Sequence, residues 1–105
     1  AQAALAQFAG NLTGIVAAIE TINPDAQIII TTQYNPYAYF AKQYGSMVSQ
    51  AATISNAFEV GINALNMVIR TVAGDKCLVA DAYTAFANGA ESLQCICCNG
   101  DASCD

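Results

Sequence analysis

Apolar side chains recur at Leu5, Phe8, Leu12, Ile15, Val16, Ile19 and Ile22, in steps of three and four. That spacing returns to one side of a helix with 3.6 residues per turn, and it predicts a helix over about residues 3–22. Asn23-Pro24-Asp25 follows. The residue before a proline is pushed out of the helical region, so the helix ends there. Gln27-Ile28-Ile29-Ile30-Thr31-Thr32-Gln33 is short, β-branched and uninterrupted, as expected of a parallel strand covered on both faces. Tyr34-Asn35-Pro36-Tyr37 breaks it, and a loop rich in Tyr and Ala is predicted to about residue 50. Ile54, Phe58, Ile62, Leu65, Ile69 and Val72 then form one helical stripe, with Asn56, Glu59, Asn63, Asn66 and Arg70 on the opposite side. Gly74 is placed to cap that helix. Leu78-Val79-Ala80-Asp81-Ala82-Tyr83 predicts a second strand, and residues 84–87 a short helical turn. From Asn88 onward no periodicity remains.

The predicted order is helix, strand, loop, helix, strand, irregular tail. A strand, a helix and a second strand of these lengths make a parallel βαβ unit with a right-handed crossover. Residues 1–87 therefore read as a partial α/β domain and residues 88–105 as a Cys-rich tail. Two parallel strands alone leave two open sheet edges, which calls for further neighbours or for self-association.

Composition strengthens that expectation. Of 105 residues, 55% are hydrophobic and 10% charged, against about 25% charged in an ordinary globular domain. A surface with so few charges is expected to be covered by a second copy or by other parts of a larger domain. The net charge is −5, and the basic residues Lys42, Arg70 and Lys76 are spread along the chain. Phosphate recognition needs several basic side chains on one face, so nucleic acid is excluded as a partner. No run approaches the roughly 20 continuous apolar residues of a membrane span. Residues 1–10 have no basic leader region, so they are not an intact signal peptide; they could follow a removed one or be an internal start.

Five cysteines are present, Cys77, Cys95, Cys97, Cys98 and Cys104, four of them in the last eleven residues. With the Asn11-Leu12-Thr13 sequon, this density suggests an exported, extracellular protein with disulfides. An odd count leaves a thiol that is free, metal-bound or intermolecular. Disulfides, such as Cys77 to a tail cysteine, are the expected reading. Neighbouring Cys97 and Cys98 are poor partners for each other, because a vicinal bridge distorts the peptide between them. Zinc or copper on the tail thiolates is the alternative, although two Cys-x-x-Cys pairs are not there. No other cofactor is expected.

Several short stretches resemble GDSL-type (SGNH) hydrolases. Asn23-Pro24-Asp25-Ala26-Gln27-Ile28, following Ile19, is similar to a helix–turn–strand of that family, and Tyr34-Asn35-Pro36-Tyr37 to the segment after the strand. Leu65-Asn66-Met67-Val68-Ile69-Arg70 and Val79-Ala80-Asp81-Ala82-Tyr83-Thr84-Ala85-Phe86 resemble the next helix and strand. The order and spacing agree over about residues 11–87. The resemblance implies a flavodoxin-like three-layer parallel-sheet domain, preceded here by an extra N-terminal helix, and ester hydrolysis by Ser, His and Asp. The family's Gly-Asp-Ser-Leu block and its oxyanion-hole Gly and Asn blocks have no counterpart here. Asp105 corresponds to the Asp of its Asp-x-x-His pair. The chain contains no histidine. Loss of one triad member already costs on the order of 10⁴- to 10⁶-fold in rate. The expectation is a fragment or remnant of a secreted SGNH-type ester hydrolase, incompetent as the isolated chain.

Other candidates have competing readings. Asp81, at the end of a strand, could line a cleft, since sites in parallel sheets gather outside the carboxyl ends of strands. Alternatively it is a buried carboxylate bonded to the next turn's N–H groups, which is the favoured reading. Tyr34, Tyr37, Tyr39, Phe40 and Tyr44 could line a pocket or interface, or form a loop packed over the sheet edge. Ser46, Ser49, Ser55 and Ser92 have no base in a recognisable pattern and no Gly-x-Ser-x-Gly elbow. Asn63, Asn66 and Arg70 read as a solvated helix face or a helix–helix polar contact. A small Cys-rich metal-binding or assembly protein remains the alternative to the hydrolase reading.

Overall fold

The first long apolar stripe folds as α1 (Gln2–Ile22) in the computed structural model, which describes residues 2–88. The helix closes with Asn23 N–H donating to the Ile19 carbonyl at 2.8 Å. Asn23 Oδ1 then accepts from Asp25 N–H at 3.2 Å, a local turn that releases the chain toward the first strand. Strand β1 (Ile29–Thr31) pairs in parallel with β2 (Leu78–Ala80), in the register Ile29↔Leu78, Ile30↔Val79 and Thr31↔Ala80. Between them lie α2 (Ala38–Tyr44) and α3 (Ala51–Ala73), and α4 (Ala82–Asn88) follows β2. Gly74 takes φ +47°, a region that penalises any Cβ, and its N–H caps the Arg70 carbonyl at 3.1 Å.

The core lies where α1, α3 and the sheet converge. Val16, Ala73 and Cys77 are buried there, and Ile28, Ile30, Val72 and Val79 pack against them. Strand side chains alternate between faces. The residues between the packed ones, Ile29 and Leu78, are 60% and 54% exposed. Helices thus cover one face of the sheet and leave the other bare.

That observation corrects the fold expectation. Among the described residues, four helices and one two-stranded sheet make a mainly helical, two-layer βαβ unit, not a flavodoxin-like three-layer domain. The run of isoleucines in β1 suggested a strand enclosed on both sides, but a second helical layer is not there among the described residues. The strands are also shorter than the apolar runs that predicted them, because each has one partner and one covered face. The predicted loop after β1 contains a helix, α2, with no side-chain cap at its start. Seven residues are too few to hold a helix by propensity alone, so α2 is held by its packing on α3.

Coverage of α1 and α3 is uneven. Ile69 is 3% exposed and anchors the lower half of α3, where burying such a side chain contributes roughly 2–3 kcal/mol. At the other end Ile54 and Phe58 are exposed, as are Ile15, Ile19 and Ile22 of α1. An open apolar groove of about 570 Å³ runs between Leu5 and Phe8 on α1 and Phe58, Ile62 and Leu65 on α3. By length and composition alone α1 is apolar enough to cross a membrane. No single run announced this, because Ala, Gly and Thr between the larger residues raise the average without making an unbroken apolar segment. Lys76 reaches Glu20 at 3.9 Å, an exposed pair that adds little stability.

Candidate functional site

Parallel pairing brings the carboxyl ends of β1 and β2 side by side, and the polar side of α3 passes over them. Thr32, directly after β1, is 1% exposed. Its N–H donates to the Ala80 carbonyl at 3.0 Å and its hydroxyl to Asp81 Oδ1 at 3.1 Å. The same hydroxyl accepts from Tyr83 N–H at 3.0 Å. Asp81 is the N-cap of α4: Oδ1 accepts from Thr84 N–H at 3.2 Å and Oδ2 from the Thr84 hydroxyl at 2.7 Å. Arg70 Nη2 approaches Asp81 Oδ2 at 3.3 Å, with both side chains well exposed. The Thr84 hydroxyl and N–H, helped by Thr32 and Arg70, hold the Asp81 carboxyl below its ordinary value.

Two asparagines tie the β1 exit to α3. Asn66 is buried, its Oδ1 accepting from Gln33 N–H and its Nδ2 donating to the Gln33 carbonyl, both at 2.8 Å. Asn35 is 4% exposed; its Nδ2 donates to the Ser55 carbonyl and to Glu59 Oε2, both at 2.9 Å. Asn35 Oδ1 accepts from Tyr37 N–H at 3.0 Å, folding the segment around Pro36 into a turn. Glu59 Oε1 accepts a hydrogen bond from the Tyr83 hydroxyl. That bond, followed by burial and the Glu59 charge, raises the Tyr83 pKa above its ordinary value, because an ionised phenol would lose the donor and face a carboxylate. One network therefore joins the β1 exit, α3 and α4.

Beside it lies a cleft of about 250 Å³, bounded by Tyr34, Asn35, Tyr39, Lys42, Glu59 and Tyr83. The predicted aromatic cluster is divided here. Tyr34 stacks on Phe86 of α4, with ring centroids 3.8 Å apart and planes 4° from parallel. Tyr37 tilts against Phe58 of α3 at 4.5 Å. Phe40 and Tyr44 meet each other at 5.3 Å along α2. Tyr34 and Tyr39 reach the cleft; Tyr37, Phe40 and Tyr44 do not line it.

Asp81 behaves as the local capping reading foresaw, but it is exposed rather than buried. Asn63 and Arg70 lie on a solvated face, Arg70 pairing there with Asp81, whereas Asn66 is buried and clamps Gln33 just beyond β1. Glu59, Asn35, Thr32 and Tyr83 were not singled out as site residues by the pattern. The signal for Asn35 was its place before Pro36, and for Glu59 its alignment with Asn63, Asn66 and Arg70. Cys77 is buried in the core, not at the cleft, and has no disulfide partner among the described residues. Cys95, Cys97, Cys98, Cys104 and Asp105 lie outside the described residues. Ser46 and Ser49 are exposed, and Ser55 is buried, its hydroxyl 3.4 Å from Asn35 Nδ2. Among the described residues, no three His, Cys, Asp or Glu side chains gather as a metal site. Comparison with protein-family models, with curated proteins and with solved structures found no match.

Proposed function

We propose that the chain is a remnant of an exported SGNH-type ester hydrolase that is catalytically incompetent alone and is stabilised by self-association. The observation that carries this reading is the two-stranded parallel sheet with one bare apolar face, on which Ile29 and Leu78 stand exposed. Support for the ancestry comes from the ordered resemblance over Asn23–Ile28, Tyr34–Tyr37, Leu65–Arg70 and Val79–Phe86. The incompetence follows from chemistry: a serine nucleophile of this type needs an imidazole to take and return its proton, and the sequence has none. The exposed large apolar residues on α1, α3 and the sheet supply surface that association removes from water.

Two measurements on the purified chain test the proposal. In a p-nitrophenyl acetate assay the chain should give the rate of buffer alone. Size-exclusion chromatography with light scattering should give a mass that is a multiple of 10.9 kDa. Saturable ester turnover removes the first part of the reading, and a monodisperse monomer removes the second.

A further inference from the structure

We propose that the cleft between α2, α3 and α4 is a binding site for a small, neutral polyhydroxyl ligand of monosaccharide size. This goes beyond the remnant reading and does not depend on it. The cleft has a prearranged acceptor at its base. Asn35 and Tyr83 each hold one oxygen of the Glu59 carboxylate, and Asn35 is itself locked by Ser55 and by the Tyr37 N–H. A carboxylate offers about four acceptor positions, so these two bonds fix its plane without exhausting it.

Around that acceptor stand Tyr34, Tyr39, Tyr83 and Lys42. The Tyr34 ring is immobilised by its stack on Phe86. Rings supply flat apolar walls, the Tyr34 and Tyr39 phenols supply hydroxyls, and the Glu59 carboxylate supplies an acceptor. A sugar ring presents the complement, with C–H faces above and below and hydroxyls around its edge. Glu59 and Lys42 cancel in formal charge, so the cleft has no net charge that favours an ion over a neutral ligand. A volume of about 250 Å³ equals roughly eight waters at ~30 Å³ each. That is room for a ligand ring of monosaccharide size, with its substituents free to project from the open side. Its place beyond the carboxyl ends of the strands is where parallel α/β units collect ligands.

The test is saturation-transfer NMR on the whole chain with methyl β-D-glucopyranoside, D-xylose and methyl N-acetyl-β-D-glucosaminide. Acetate and tetramethylammonium serve as charged probes. At least one sugar should bind with a Kd of roughly 1–10 mM, the range for a ligand this small. Tyr39→Ala should weaken it at least about fivefold with the far-UV spectrum unchanged, since no element is built on that side chain. Glu59→Gln keeps the shape but weakens the acceptor and should also reduce binding. No transfer from any sugar at about 20 mM overturns the proposal. So does binding that Tyr39→Ala leaves unchanged, or a charged probe that binds more tightly than every sugar.

Discussion

Asn66→Ala should be among the most damaging single substitutions on α3, although the residue lies on that helix's polar side. Its amide spans both backbone groups of Gln33 at 2.8 Å and is 7% exposed. Each bond contributes about 1 kcal/mol net, and a partner left behind without water costs a further 1–3 kcal/mol. Gln33 itself is exposed, so water reaches part of the vacated site and the lower end applies. The expected loss is about 2–3 kcal/mol, or roughly 10–20 °C in Tm for a domain of this size. Urea unfolding followed by far-UV circular dichroism measures it, with exposed Asn63→Ala as a control expected within about 0.5 kcal/mol of the parent. Asn66→Asp adds a signature. The carboxylate still accepts from Gln33 N–H but turns a second acceptor toward the Gln33 carbonyl. It should be at least as damaging as Asn66→Ala at neutral pH and should recover relative to it below about pH 4, where a proton restores the donor. If Asn66→Ala unfolds at the same urea concentration as Asn63→Ala, the clamp does not hold β1 and the reasoning is wrong.

Other outcomes follow from the same network. Asp81 has a depressed folded pKa, so its contribution is present above the unfolded carboxyl value and disappears as pH falls through the folded one. Asp81→Asn should flatten the acid limb of stability measured from pH 6 to 2. Tyr83 has a raised folded pKa, so its contribution is full below about pH 10 and disappears as pH rises further. Spectrophotometric titration of the phenols should find one that ionises late; Glu59→Gln should bring it back toward the others, and an unmoved late phenol would refute the assignment. Cys77 is buried against Val16 and Ala73, so a thiol reagent should modify it at the rate of unfolding. Modification at the rate of a small free thiol would show the core open there.

Periodicity found α1 and α3 because each carries a long apolar stripe, and Pro24 and Gly74 marked their ends. It placed both strands and their parallel relation, since a long helix between one β-branched run and a second short apolar run permits little else. It overstated the sheet. Ile28, Ile29 and Ile30 look alike in sequence, yet alternation sends Ile29 to solvent while its neighbours enter the core. Helix α2 was hidden because seven residues carry at most one i,i+4 aromatic pair, Phe40 and Tyr44, and the helix depends on α3 for support. Most of the site was illegible for a related reason. Asn35, Glu59, Asn66 and Tyr83 are ordinary polar residues in sequence, and what distinguishes them is partners 24 to 33 positions away. Asp81 was legible because an N-cap is a local feature, with Thr84 three residues on.

The pairing of the two strands also dictates the order in which the chain can fold. Thr32 and its partner Asp81 are 49 residues apart, so the sheet waits until all of α3 has been made. At a synthesis rate of about 5–20 residues per second, the isoleucine-rich first strand spends roughly 2–10 seconds without its mate. During that interval it is an uncharged β-branched segment with both edges open, the kind that recruits other chains. A fast-forming α3 shortens the search by bringing the strand ends together, which makes helix formation the step that governs yield on the ribosome. Helix-weakening substitutions on the exposed side of α3 are therefore expected to appear as aggregation during expression before they appear as lost stability in the purified protein.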